Sequence, residues 1–232
     1  MSDYNNWPGK SDENEDPQIW DEHRWEEFMQ KADKRTDQYL ELVEKYNDHP
    51  DRDRLIAIEM GWDHISDEMD EDENWMFPSD DFVMDDSEEG EKWKQGTIYE
   101  DPSEFEEVEN FPLYQKAQQF TLDSMDLIQN QLKNSDNESV KAFAASVILP
   151  PAKIAGGFGF GFDIESLGGN IANNKRGLAA ANRMLSALTE LRKKEVLDRK
   201  TFLDYYSRGK EVRDDLAIYI VELRERFRNG IS

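Results

Sequence analysis

The closing stretch of this chain carries the pattern that most constrains its fold. Between Asp163 and Asn229, apolar residues recur every three or four positions in two runs, with a break near residues 196–198. This spacing keeps one face of an α-helix against a core. Two long amphipathic helices joined by a turn are therefore predicted. Their inward positions are Gly177, Ala180 or Ala181, Met184, Leu188 and Leu191, then Phe202, Tyr205 or Tyr206, Val212, Leu216, Tyr219 or Ile220, Leu223 and Phe227.

The same helical spacing recurs earlier, and alternation with a period of two is almost absent. The predicted fold is all-α: an antiparallel helical bundle in the C-terminal half, with an acidic, Trp-rich, partly helical N-terminal region. A first helix is predicted to begin at Asp16–Pro17, and a second to turn Leu55, Ile58 and Trp62 to one face. The predicted divisions are a flexible acidic tail (1–15), two amphipathic helices (16–69), an acidic irregular linker (70–110) and the bundle domain (111–232).

The glycine-rich stretch from Ala152 to Gly177 leaves two interpretations open. Residues 152–163 are either an irregular loop that ends at Asp163, or part of a helix whose small residues let another backbone approach closely. A helix is predicted from Ile164 onward. The glycines lack the Lys-Ser/Thr of a phosphate-binding loop and no strand precedes them, so a loop or a helix contact is favoured over a nucleotide site.

Charge divides the chain in two. Residues 1–112 hold 37 Asp and Glu against 10 Lys and Arg, a net charge of −27, whereas residues 113–232 hold 15 against 18, a net charge of +3. All six tryptophans lie in the acidic half. A chain this acidic is not expected to bind nucleic acid directly, because such binding needs cations that neutralise phosphates.

Several kinds of chemistry are not expected. The chain has no cysteine, so disulfides and thiolate zinc sites are excluded. His64 and Glu68 form a helical pair, but a zinc site wants three or four ligands, so no metal or cofactor is predicted. The first residues lack the basic and apolar regions of a secretory signal. The weakly polar stretch Ala142–Phe162 is interrupted by prolines and glycines, so a cytoplasmic protein without a membrane span is expected.

Two groups of residues are candidate binding sites. The first is polar and lies on the predicted helix after Ile164, where the asparagines share a buried face and must find hydrogen bonds, either in a structural network or in a pocket. Its members are Asn170, Asn173, Asn174, Arg176 and Arg183. The second consists of aromatic anchors in the acidic half, namely Trp20, Trp25, Trp62, Trp75 and Phe77.

The favoured function is a non-enzymatic adaptor that mediates protein–protein interaction. Residues 175–213 carry a net charge of +6, so the acidic region is expected to lie either on these basic helices or on a protein partner that has a basic surface. One alternative is a small-molecule binder or enzyme with a pocket near Asn170–Arg183. Another is an acidic mimic of nucleic acid. Self-association through the bundle is left open.

Overall fold

The predicted all-α fold is confirmed. The computed structural model describes residues 19–62, 107–132 and 137–230, and within these ranges there is no strand. The helices are α1 (Glu22–Lys45), α2 (Arg52–Met60), α3 (Pro112–Leu127, continued by a π-helical turn at Ile128–Leu132), α4 (Glu138–Val147), α5 (Leu149–Phe160), α6 (Ile164–Lys193) and α7 (Arg199–Asn229).

The chain divides into two compact units. The first comprises Met1–Glu27 and Pro102–Ser232, and the second comprises Phe28–Asp101. The boundary falls inside α1, so the first turn of this helix belongs to the bundle. The predicted tail at 1–15 and most of the predicted linker at 70–110 lie outside the described residues, and the four predicted divisions stay predictions.

The first unit is built on the pair α6 and α7, which run antiparallel as predicted. Gly177 near the middle of α6 faces Leu216, while Gly209, closer to the start of α7, faces Met184 and Leu185. Apolar side chains of the five helices α3 to α7 meet in one core, because each helix turns apolar positions inward. Those that are fully buried include Phe143, Ile154, Leu167, Ile171, Met184, Leu188, Leu191, Val212, Leu216 and Leu223.

Helix α3 packs along α7 through polar as well as apolar contacts. Arg208 pairs with Asp123, and Lys116 pairs with Asp215. The Tyr205 hydroxyl donates to the backbone carbonyl of Asp123 at 3.0 Å. These contacts fix the register of α3 against α7.

Of the two interpretations of residues 152–163, the helix is correct up to Phe160, and a sharp turn follows at Gly161. α5 continues to Phe160, and Gly161 then takes φ +85°, a conformation that a residue with a Cβ rarely adopts. α6 begins at Ile164, as predicted. The glycine-rich segment is therefore a helix contact and a turn.

Helix α1 begins later than the predicted Asp16–Pro17. Residues 19–21 are not helical, and the helix begins at Glu22. The Asp21 carboxylate accepts hydrogen bonds from two backbone N–H groups of the first turn, at 3.0 and 2.9 Å. Asp21 is therefore the N-cap of α1. Its negative charge is also favoured there by the helix dipole.

Helix α2, in the second unit, turns only part of the predicted face inward. Ile56 and Met60 are buried and Trp62 packs against them as predicted, whereas Ile58 is exposed. Gly61 at φ +70° then ends the helix before Trp62. Ile56 and Met60 face inward because they pack on Leu42 of α1.

One helical stretch among the described residues, Glu138–Phe160, is long and apolar enough to cross a membrane by length and composition, with a mean hydropathy of 1.3. Helices in the cores of soluble proteins pass the same test, although they are mostly buried. Here 39% of the apolar window is buried. The inward side of this stretch contributes Phe143 and Ile154 to the bundle core.

The contact between α5 and α6 makes a first testable prediction. A Cβ at Gly157 would collide with the Asn174 side-chain amide and lie 2.9 Å from Asn170 Oδ1. Gly157→Ala is therefore expected to lower the free energy of unfolding by about 1–3 kcal/mol through overpacking, even though alanine favours helix. Urea denaturation followed by circular dichroism measures the change.

Gly159→Ala, two residues further along the same helix, is the matched control. Nothing lies within 4 Å of a Cβ built there. This variant should gain up to about 1 kcal/mol from helix propensity. Equal effects of the two substitutions would show that the α5–α6 distance is not limited by Gly157.

Candidate functional site

The first unit holds an acidic, aromatic segment against its basic helices. We call residues 19–27 the anchor segment. Trp20 and Trp25 are only 5% and 4% exposed. Their rings meet edge to face at 5.4 Å, and Trp25 also contacts the Phe160 ring of α5 at 5.0 Å. Burial of two indoles gives this short segment a large apolar contact area.

Gly168 of α6 makes room for the anchor segment, and Gly169 makes room for Phe160 of α5, on which Trp25 packs. A Cβ at Gly168 would collide with the carbonyl oxygen of Trp20 and lie 2.8 Å from Cδ1 of Trp25. A Cβ at Gly169 would lie 2.7 Å from the ring of Phe160. The neighbouring groups can approach α6 this closely because glycine has no Cβ. The sequence at the start of α6 therefore permits this contact.

Two carboxylates next to the tryptophans meet cations of α6 and α7. Glu22 accepts hydrogen bonds from Arg224 through both its oxygens, at 2.8 and 2.6 Å, and from Lys175 at 3.1 Å. Glu26 receives a two-pronged contact from Arg176, at 2.9 and 3.2 Å. Such bidentate Arg–carboxylate pairs fix geometry as well as charge.

Burial and pairing both act on Glu22, whose side chain is 12% exposed. The hydrogen bonds from Arg224 hold the pKa of Glu22 below its ordinary value, against the opposing effect of burial. The pKa of Arg224 is raised by the same pair. The contact therefore favours the ionised forms of both side chains.

The predicted aromatic anchors belong to different parts of the chain. Trp20 and Trp25 belong to the anchor segment, while Trp62 lies in the second unit beside Tyr39, with ring centroids 5.9 Å apart. Trp75 and Phe77 lie outside the described residues.

The predicted asparagines form a row along α6 that faces α5. Asn170 donates from Nδ2 to the Gly161 carbonyl at 2.9 Å, and Asn174 donates to Asn170 Oδ1 at 2.8 Å. The Asn173 amide lies against Gly156. Asn174 Oδ1 is buried without a hydrogen-bond partner among the described residues. The amides thus contact helix α5 and the turn that follows it.

The two predicted arginines lie in different environments. Arg176 lies in the anchor contact with Glu26, whereas Arg183, two turns further along α6, is exposed. The row of asparagines and Arg183 are therefore not parts of one cluster.

The residues that complete the anchor contact were not singled out in the sequence. Glu22, Glu26 and Gly168 were missed, and Arg224 lies outside the basic region noted at 175–213. The charge mismatch between the two halves was the available signal, but it does not specify which carboxylates meet which cations. Glu22 and Glu26 lie one helical turn apart beside Trp20 and Trp25, and this spacing would have narrowed the set of candidate carboxylates.

Within residues 19–62, 107–132 and 137–230, no group of three or more His, Asp or Glu side chains is placed to hold a metal ion. Comparison of the chain with protein-family models, curated proteins and solved structures gives no match.

Substituting the glycine beneath Trp20 tests the anchor contact. Gly168→Ala is expected to displace the anchor segment, because the added methyl group takes the position of the Trp20 carbonyl. Tryptophan fluorescence should shift to longer wavelength and the segment should become sensitive to limited proteolysis, while helicity is retained. Gly159→Ala serves as the control, and an unchanged spectrum for Gly168→Ala would contradict the contact.

Stability should depend on pH through Glu22. Its folded-state pKa lies below the ordinary value of 4.5, so its contribution is present above 4.5 and is lost as pH falls through the lowered pKa. Glu22→Gln should cost about 1–2 kcal/mol of unfolding free energy at neutral pH, with the difference from wild type shrinking in acid. Glu27→Gln at an exposed neighbouring position is the control and should have almost no effect.

Proposed function

We propose that this protein is a non-enzymatic interaction protein, in which the helical bundle carries an acidic region that binds a protein partner with a basic surface. The observation that carries the proposal is the anchor contact. It attaches residues 19–27 of the acidic half to the bundle by two buried tryptophans and two paired carboxylates. The bundle thereby serves as a support for the acidic chain that follows.

The excess of negative charge in residues 63–106 supports a partner with a basic surface. The anchor contact neutralises Glu22 and Glu26 with cations of the bundle, yet residues 63–106 alone contain 18 Asp and Glu against 2 Lys. A partner surface with the opposite sign would accelerate encounter and fix orientation, and such attraction weakens as salt is added.

The contacts of the asparagine row support a structural role, since its amides face the glycines of α5. No observation among the described residues favours a small-molecule site near Asn170–Arg183 or mimicry of nucleic acid.

The test is capture of partners from the native source with the full chain, compared with a charge-neutralised variant. The variant changes five acids of one cluster to their amides: Asp85, Asp86, Glu88, Glu89 and Glu91. Partners that bind through this charge should be lost from the variant and released from wild type by raised salt.

A matched control places the same number of amide substitutions on exposed acids of the bundle unit, namely Glu165, Glu195, Glu211, Glu222 and Glu225. This control should retain the partners. Capture that survives both the acidic-cluster variant and raised salt would contradict an electrostatic mode of recognition.

A further inference from the structure

The end of α7 holds the only asparagine of the sequence that is followed by glycine. Asn229 is the last residue of the helix, and Gly230 is its C-cap. None of the other glycines in the chain follows an asparagine. Asparagine is a thermolabile residue type, and the residue that follows it controls how readily its side chain reacts with the backbone. The pair is therefore a candidate site of covalent modification.

The reacting groups are the side-chain amide of Asn229 and the backbone nitrogen of Gly230. Attack of this nitrogen on Cγ of Asn229 closes a succinimide ring, and the bond between Cγ and Nδ2 breaks. The proton of the Gly230 amide leaves with Nδ2 as ammonia. A nucleophile that is held beside its target in one molecule reacts much faster than the same group free in solution, so the neighbouring nitrogen is favoured over external water.

Water then opens the ring at either of its two carbonyl carbons. Addition at Cγ gives aspartate and restores the ordinary backbone. Addition at the main-chain carbonyl carbon gives isoaspartate, in which the backbone runs through Cβ and Cγ of residue 229. Both products carry a carboxylate, so each makes the net charge of −24 one unit more negative. Water is the only co-reactant.

The surroundings of Asn229 and Gly230 leave room for this reaction. A Cβ built at Gly230 would meet nothing within 4 Å, and glycine itself has no Cβ to shield the attacking nitrogen. Gly230 takes φ +70° and ψ 162°, so it has already left the helix. Asn229 is exposed, and no hydrogen bond within the described part of the chain holds its side chain. Because helix ends fray, the rotation that brings the nitrogen to Cγ costs little there.

Asparagines inside α6 are held away from the same reaction. Asn170 and Asn174 are fully buried, and the Nδ2 group of each donates a hydrogen bond. Asn182 is exposed like Asn229, but it is followed by Arg183 inside the helix. There the helical hydrogen bond fixes the backbone nitrogen of the next residue, so ring closure would break the helix. Exposure alone therefore does not set Asn229 apart.

We propose that Asn229 is a deamidation site, at which the backbone nitrogen of Gly230 forms a succinimide that water converts to aspartate and isoaspartate. Arg226 and Arg228 lie in the same last turn of α7, so the new carboxylate forms near positive charges. These charges offset its unfavourable position at the negative end of the helix dipole. The modification changes the surface charge of the bundle unit and leaves the buried core unaltered.

Incubation of the purified full chain at neutral pH and physiological temperature, followed by cleavage after lysine and mass spectrometry, tests the proposal. The peptide 211–232 contains Asn229 as its only asparagine, and the peptide 176–193 contains Asn182 as its only one. The first peptide should gain the mass difference between an amide and an acid and should contain isoaspartate, whereas the second should stay unmodified. Isoaspartate identifies the succinimide route, because direct hydrolysis of the side-chain amide gives aspartate alone.

Two variants separate the roles of glycine and of the helix end. Gly230→Ala should lower the isoaspartate yield at least about tenfold, because a methyl group shields the nitrogen and opposes the positive φ. Arg183→Gly creates the same pair of residues inside α6 and should leave Asn182 unmodified, with circular dichroism as the check on folding. The proposal is overturned if wild type forms no isoaspartate at Asn229, if Gly230→Ala forms as much, or if Asn182 of Arg183→Gly reacts as fast. Because purified protein is used, the outcome is independent of partner capture.

Discussion

Close backbone approach along the first half of α6 is the constraint on which the bundle depends. One side of this helix receives the anchor segment at Gly168, and the face of its asparagines, which continues to Gly177, receives α5 and the Leu216 side chain of α7. Larger side chains would push at least one of these neighbours away, and protein interiors do not tolerate the resulting voids. The low helix propensity of glycine and asparagine is offset by three simultaneous contacts.

Ion pairs add to the stability that this packing provides and do not replace it. Exposed ion pairs contribute little, but Glu22 is nearly enclosed and meets cations from both long helices. Removing either partner would leave a charge with reduced solvation, which is costly. The tryptophans supply contact area, and the carboxylates determine how the anchor segment is oriented on the bundle.

The sequence predicted the fold well where helical periodicity was strong. The apolar positions that the spacing predicts to face inward on α6 and α7 are buried or packed against the core, because apolar residues at helical intervals share one face. The predicted start of α1 was wrong because Asp21 caps the helix through local backbone geometry that periodicity does not encode. The predicted inward face of α2 was shifted because Ile56 and Met60 pack on Leu42 of α1. The pairing of Glu22 with Arg224 joins residues about two hundred positions apart, and composition cannot specify such a contact.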